Sequence, residues 1–164
     1  MQSELNTEMA FRGQYDCTMD DKGRIKMPAT LRKQFPTEEK GAFMIAKDIE
    51  DCLVIYPMKE WEEQEARLMK LNQFDPVLRQ FASAMMIGLT EVQFDNADRF
   101  LIQKSLTKYL GSSKDVVLLG RFNRIQIWDA AKLEQYNNSG LANIKELAGE
   151  AASYMDKLEE KEKR

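Results

Sequence analysis

The sequence contains no histidine, and this absence excludes several kinds of catalytic site. A Ser-His-Asp or Cys-His arrangement, an H-E-x-x-H metal site and a histidine general base all need that side chain. The two cysteines, Cys17 and Cys52, form neither a C-x-x-C motif nor a zinc-ligand cluster. We therefore expect no catalytic residues, no metal and no cofactor, and we expect both thiols to be reduced and partly buried.

Long apolar runs are also missing. No stretch approaches the roughly 18 to 20 apolar residues that span a bilayer, and residues 1–13 lack the basic and apolar regions of a signal peptide. Proline and glycine are sparse, whereas 43% of the residues are hydrophobic, which is enough to fill a core. These features predict a folded, soluble protein of the cytoplasm.

The chain has no overall excess of positive charge. Its formal net charge is −3 and its pI is about 5.2, whereas a nucleic-acid-binding domain is usually strongly basic. Any surface that binds DNA must therefore be a local one.

An internal repeat organises most of the chain. Residues 13–33 align with residues 88–108 at a constant offset of 75 positions, so that Asp20 matches Asp95 and Arg24 matches Arg99. Each copy contains an alternating run, a polar turn, a short apolar strand, a short helix and two further strands. Both copies therefore have a β-α-β-β outline with a hairpin-like start, and the fold class is α+β.

Helical patterns follow and separate the copies. One helix is predicted after Pro57 and another after Asp129, while Asp75-Pro76 begins a linking helix with an apolar stripe. The predicted segments are an N-terminal extension at 1–10, a first repeat at 11–74, the linking helix at 75–87, a second repeat at 88–137 and a C-terminal amphipathic helix at 138–164.

Positive charge is concentrated in the first copy. Six basic side chains lie between Arg12 and Lys33 against three acidic ones, whereas residues 88–108 carry three of each sign. A two-stranded β ribbon can enter the major groove of DNA, and the arginine fork matches guanine O6 and N7. Each chain offers few such charges, so tight binding requires a homo-oligomer. The candidate DNA-binding residues are Arg24, Lys22, Arg99, Arg12 and Lys26.

The repeated D-x-x-x-R spacing also has a simpler interpretation. Asp20 and Asp95 can cap a turn while Arg24 and Arg99 pair with them, which only stabilises the turn. The two interpretations are compatible. We expect the aspartates to hold each loop while the arginines face outward.

Several motifs resemble those of the MraZ family, whose units are similar to AbrB-type swapped-hairpin domains. The resemblance covers nearly everything from residue 10 to about 136. It is carried by FRG at 11–13, DDKGRIKMP at 20–28, CLVIYPMKEW at 52–61, D-x-x-x-R at 95–99 and KDVVLLGRFNRIQIWD at 114–129.

This resemblance implies a fold and a function. It implies two repeats that pack into one swapped-hairpin, β-barrel-like core with helices outside, and chains that assemble into closed rings. It further implies a nucleoid-associated repressor that binds short direct repeats in the promoter of the operon for division and cell-wall synthesis, which contains its own gene. The motif positions are Asp20, Arg24, Asp95 and Arg99, and Lys22 also matches.

The second copy departs from the family pattern at two positions. Asp98 replaces the glycine before the arginine, and Gln103 replaces a proline. A carboxylate beside Arg99 would repel phosphate.

Two other functions fit parts of the sequence. One is a protein-interaction module of the antitoxin type, which would use the same fold and bind a partner through the C-terminal helix. The other is a small hydrolase using the Asp20 and Asp95 carboxylates, although no histidine, phosphate loop or metal cluster accompanies them.

Overall fold

A computed structural model describes residues 10–35, 41–71, 73–111 and 113–164. Apart from Ala10, the predicted N-terminal extension lies outside the described residues. The chain forms two compact units, Met1–Ala130 and Ala131–Arg164. None of the helices in the described part combines the length and apolar content needed to cross a bilayer.

The structure contains strands and helices in the order that the repeat predicts. The strands are β1 Gln14–Thr18, β2 Arg24–Lys26, β3 Phe43–Lys47, β4 Leu53–Pro57, β5 Thr90–Val92, β6 Arg99–Leu101, β7 Asp115–Gly120 and β8 Ile125–Asp129. The helices are α1 Ala29–Arg32, α2 Met58–Met69, α3 Pro76–Met85, α4 Lys104–Thr107, α5 Ala130–Ala142 and α6 Ile144–Glu162. The predicted α+β class is confirmed.

Both halves contribute strands to the same sheets. A six-stranded antiparallel sheet has the order β1-β7-β8-β4-β3-β5, and β2 pairs with β6 in a separate two-stranded ribbon. The hairpin-like start of each copy therefore differs from the expectation. β1 and β5, which precede the polar turns, belong to the large sheet, whereas β2 and β6, which follow the turns, form the ribbon. Each of these four strands pairs with a strand of the other half.

Alternation along the central strands β4 and β8 produces two cores. Leu53 and Ile55 belong to the larger apolar cluster, whereas Val54 and Tyr56 belong to a smaller one that also contains Trp61 of α2. Successive side chains of a strand point to opposite faces of the sheet. Both faces of these strands are covered, which explains why every residue of β4 and β8 is buried.

Local signals place the helix ends to within a few residues. The Asp75 side chain accepts hydrogen bonds from the backbone N–H groups of Val77 and Leu78, so the predicted start of the linking helix is confirmed. Pro28 precedes α1 as its cap residue. The α5 helix continues to Ala142 and so crosses the boundary predicted between residues 137 and 138.

A buried polar network joins β8 to the β3–β4 turn. The Gln126 side chain is 2% exposed, and its Nε2 donates to Asp48 Oδ2 at 2.7 Å and to Glu50 Oε2 at 3.0 Å. Its Oε1 accepts from Trp128 Nε1 and from Arg121 Nε, both at 3.0 Å. One amide therefore satisfies four polar groups, of which those of Asp48 and Trp128 are buried.

Gln126→Leu should lower the free energy of unfolding by about 1–3 kcal/mol, because it leaves buried donors and acceptors without partners. Urea unfolding measures the loss. Gln93→Leu, at an exposed position, is the matched control and should shift the midpoint little. Equal midpoints for the two variants would contradict the role of the network.

Candidate nucleic-acid interface

The first polar turn is held by the carboxylate of Asp20. Its Oδ1 accepts from the backbone N–H of Lys22 at 3.0 Å and of Arg24 at 2.8 Å, and its Oδ2 accepts from Arg24 Nε at 2.7 Å. Gly23 completes the turn with φ of +86°, and a Cβ there would lie 2.9 Å from the backbone oxygen of Ile102. Only glycine fits this position without strain.

The second polar turn repeats this arrangement. Asp95 Oδ1 accepts from the backbone N–H groups of Ala97 and Arg99, and Oδ2 accepts from Arg99 Nε at 2.9 Å. Asp98 takes the place of Gly23 with φ of +57°, a conformation that aspartate tolerates better than most residues. Its carboxylate accepts from Arg32 Nε at 3.1 Å, so Asp98 pairs with a cation of the first half.

The same hydrogen bonds change the acidity of both aspartates. The backbone N–H of Arg24 lowers the pKa of Asp20 most, and the backbone N–H of Arg99 does the same for Asp95. Hydrogen bonds to the charged form favour it. Both carboxylates are therefore ionised wherever the turns are formed at neutral pH.

Each turn arginine is thus part of its turn. The Arg24 side chain is 31% exposed and that of Arg99 is 38% exposed, and both use Nε in the ion pair. The Asp–Arg pairs expected from the turn-stabilising interpretation are therefore present in both turns. The Nε bond also fixes the plane of each guanidinium, which is useful when a planar fork must meet a base edge.

The ribbon of β2 and β6 brings three predicted site residues onto one face. Lys26 lies directly opposite Arg99 in the ladder, and Arg24 lies two residues from Lys26 on the same strand. Directly opposite residues and residues two apart point to the same side. The other side carries Ile25 and Phe100, which are buried in the larger core. Arg24, Lys26 and Arg99 therefore form the basic face of the ribbon.

Lys22 and Arg12 are placed differently. Lys22 is exposed at the tip of the first turn, next to the basic face. Arg12 is exposed too, but it follows Phe11, which forms a bridge with Phe122 beyond β7. Arg12 therefore lies between this bridge and β1 of the large sheet, not on a strand of the ribbon.

A groove beside the first turn contains basic residues that the sequence analysis missed. Its volume is 380 Å³, and Lys22 and Lys114 line it together with Lys104 and Lys108 around α4. Asp20 and Asp21 also line it, but Asp20 pairs with Arg24 and Asp21 pairs with Lys114. The spacing of Lys104 and Lys108 was visible in the sequence. Their position beside the turn of the other half was not, because it depends on the pairing of β2 with β6.

Three potential metal ligands lie together elsewhere, at the β3–β4 turn. The ligand atoms of Asp48, Glu50 and Cys52 lie within 4.8 Å of one another. Gln126 already donates to both carboxylates, and Cys52 Sγ donates to Asp48 at 3.6 Å. Burial, followed by the charge of Asp48, raises the pKa of the Cys52 thiol and keeps it protonated. The cluster therefore acts as a hydrogen-bonded support for the turn.

Comparisons with known proteins identify the family. A sequence model described as "MraZ protein, putative antitoxin-like" matches residues 10–83 and again residues 85–161. The chain belongs to the MraZ family. It is 37% identical over 132 residues to the transcriptional regulator MraZ of Clostridium tetani, covering 80% of this chain and 89% of that protein.

Transcriptional regulators named MraZ from other bacteria are similar to this chain to a comparable extent. The transcriptional regulator MraZ of Shewanella denitrificans is 37% identical, over 76% of this chain and 83% of its own length. The transcriptional regulator MraZ of Acetivibrio thermocellus is 32% identical, over 87% of this chain and 96% of its own length. The MraZ model matches once in each half of the chain, and each match contains one of the two D-x-x-x-R turns.

The lowered pKa of Asp20 gives a testable pH dependence. Asp20→Asn should be less stable than the wild type at neutral pH, because the amide lacks the charge that the N–H groups and Arg24 stabilise. This difference should stay constant down to the ordinary carboxyl pKa of about 4 and then vanish as the pH falls through the lowered pKa. Chemical unfolding of both proteins at a series of pH values measures it. A difference that is independent of pH would contradict the assignment, and Asp95→Asn should behave in the same way.

Proposed function

We propose that this MraZ-family protein is a transcriptional regulator that binds double-stranded DNA in a sequence-specific manner. It acts in the cytoplasm, at the nucleoid, and carries out no catalysis. One observation carries the proposal: Arg24, Lys26 and Arg99 share the exposed side of a two-stranded ribbon whose other side is core. The relatives described above are all named as transcriptional regulators, which supports it.

The two-stranded form of the ribbon suits DNA recognition. A two-stranded β ribbon fits the major groove, where an arginine fork can pair with guanine. In the proposed complex, Arg24 reads a base edge while Lys26 and Lys22 contact phosphates. Arg99 contributes as well, because Asp98, the acidic neighbour that would oppose it, pairs with Arg32.

The interleaved strands support a swapped-hairpin arrangement of the two repeats. Each strand of the first half pairs with a strand of the second, so that the two D-x-x-x-R turns are built into one unit. We propose that such units assemble into a closed homo-oligomeric ring. A ring repeats a weak basic face several times, and counterion release from many phosphates then gives tight binding by an acidic protein.

The proposed target is the promoter of the operon for division and cell-wall synthesis, where the protein acts as a repressor at short direct repeats. Repeated sites suit a protein that presents the same ribbon once per subunit. Footprinting on DNA upstream of the protein's own gene tests this target.

Arg24→Glu and Lys26→Glu should each abolish binding to this promoter DNA, because both place a negative charge on the basic face. Fluorescence anisotropy with a labelled duplex measures the affinity, and light scattering checks that the oligomer is unchanged. Lys59→Glu, an equal charge change on the exposed side of α2, is the control and should retain binding. Promoter binding that survives both ribbon reversals would refute the proposed interface.

The lysines of the groove should contribute equally to the affinity for DNA of any base sequence. Replacing Lys104 and Lys108 together by glutamine should weaken binding to promoter and random duplexes by the same factor, since phosphate contacts carry no sequence information. The slope of log affinity against log salt should fall by about 1.8 in magnitude if each lysine neutralises one phosphate. A salt titration of both duplexes measures this. An unchanged slope would remove the groove from the interface.

A further inference from the structure

The α6 helix presents an apolar stripe to solvent. Every residue from Ile144 to Glu162 is exposed. Leu147 is 49% exposed, Met155 62% and Leu158 60%, and the apolar residues recur at spacings of three and four. Contiguous apolar surface of this kind on a soluble protein marks an interaction site.

The stripe has the seven-residue period of a two-helix seam. Ile144, Ala151 and Leu158 occupy one seam position, and Leu147 and Tyr154 occupy the other, followed by Lys161. We propose that α6 pairs with α6 of a second copy of this chain in antiparallel orientation. The partner is a second copy because the sizes and charges along α6 complement those of the same helix turned end to end.

Size complementarity favours the antiparallel arrangement. With Leu147 opposite Leu158 of the second copy, the small Ala151 lies opposite Tyr154. At each end of the pair, Ile144 lies opposite the long aliphatic stem of Lys161, whose charged group can reach solvent. A parallel pair would instead stack Ala151 on itself, Tyr154 on itself and Lys161 on itself. That arrangement leaves a gap, crowds two rings and places two like charges together.

Charge complementarity also favours the antiparallel arrangement. Glu150 and Lys157 lie on the same flank of the seam, seven residues apart. In the antiparallel pair, Glu150 of each chain faces Lys157 of the other, which makes two ion pairs. On the other flank, Met155 faces Ala148. A parallel pair would place Glu150 against Met155 and lose this match.

The contact is two-fold and therefore distinct from a ring contact. Neighbouring subunits in a closed ring of more than two members are related by a rotation smaller than 180°, so they cannot form a two-fold antiparallel pair of equivalent helices. In the closed ring, which is part of the proposed function, α6 would join chains of different rings. The pairing itself requires neither a ring nor DNA.

A charge exchange in the full-length protein tests the proposal. Glu150→Lys and Lys157→Glu should each weaken self-association roughly tenfold or more, because each turns two attractive pairs into repulsive ones. The double variant Glu150→Lys/Lys157→Glu should restore the wild-type value. Sedimentation velocity over a dilution series measures the dissociation constant, and circular dichroism checks that the helix remains.

Glu160→Lys is the matched control, since position 160 lies on the opposite side of the helix from the seam and should leave self-association unchanged. A dissociation constant unaffected by either single reversal would overturn the proposal. Loss in both single variants without recovery in the double variant would also overturn it, and would indicate a parallel pair or a partner of another kind. In either case, unchanged affinity for promoter DNA would leave the proposed function intact.

Discussion

The pairing of each strand in one half of the chain with a strand in the other is the constraint on which the rest of this structure depends. β1 pairs with β7, β2 with β6, β3 with β5 and β4 with β8. Neither half forms this sheet by itself, because its strands would leave their ladder partners and one apolar face open to water. The larger core accordingly takes side chains from both halves, such as Ile25 and Phe100 from the ribbon.

This constraint also explains how an acidic chain acquires a basic surface. The candidate cations are distant in sequence, and the first half has only a modest local excess of them. Antiparallel pairing of β2 with β6 sets Lys26 opposite Arg99, and it places Lys104 and Lys108 beside the turn that carries Lys22. The acidic residues nearby pair with neighbouring cations, so they oppose a polyanion less than their number suggests.

In the two D-x-x-x-R turns, the arginines that stabilise the turn are also residues to which the proposed function assigns DNA contacts. Asp20 and Asp95 satisfy backbone N–H groups that the tight turn leaves without ladder partners. Their second oxygen orients an arginine side chain that stays about one-third exposed. A charged group held in this way loses less conformational entropy when it binds a ligand, so turn stability and the proposed recognition of DNA do not compete.

The amino-acid sequence by itself determined the features that depend on neighbouring residues. Alternation predicted the strands before the polar turns, β1 and β5. The Asp75-Pro76 pair predicted the start of α3, and the D-x-x-x-R spacing predicted both turns, because periodicity, caps and turn chemistry act over a few residues. Only the tertiary structure decided which strands pair, that Lys26 faces Arg99, and that Asp98 pairs with Arg32. It also placed Gln126 at the centre of a buried network, which no local pattern indicates. These outcomes depend on contacts between residues many positions apart, and a local pattern carries no information about the register in which distant strands meet.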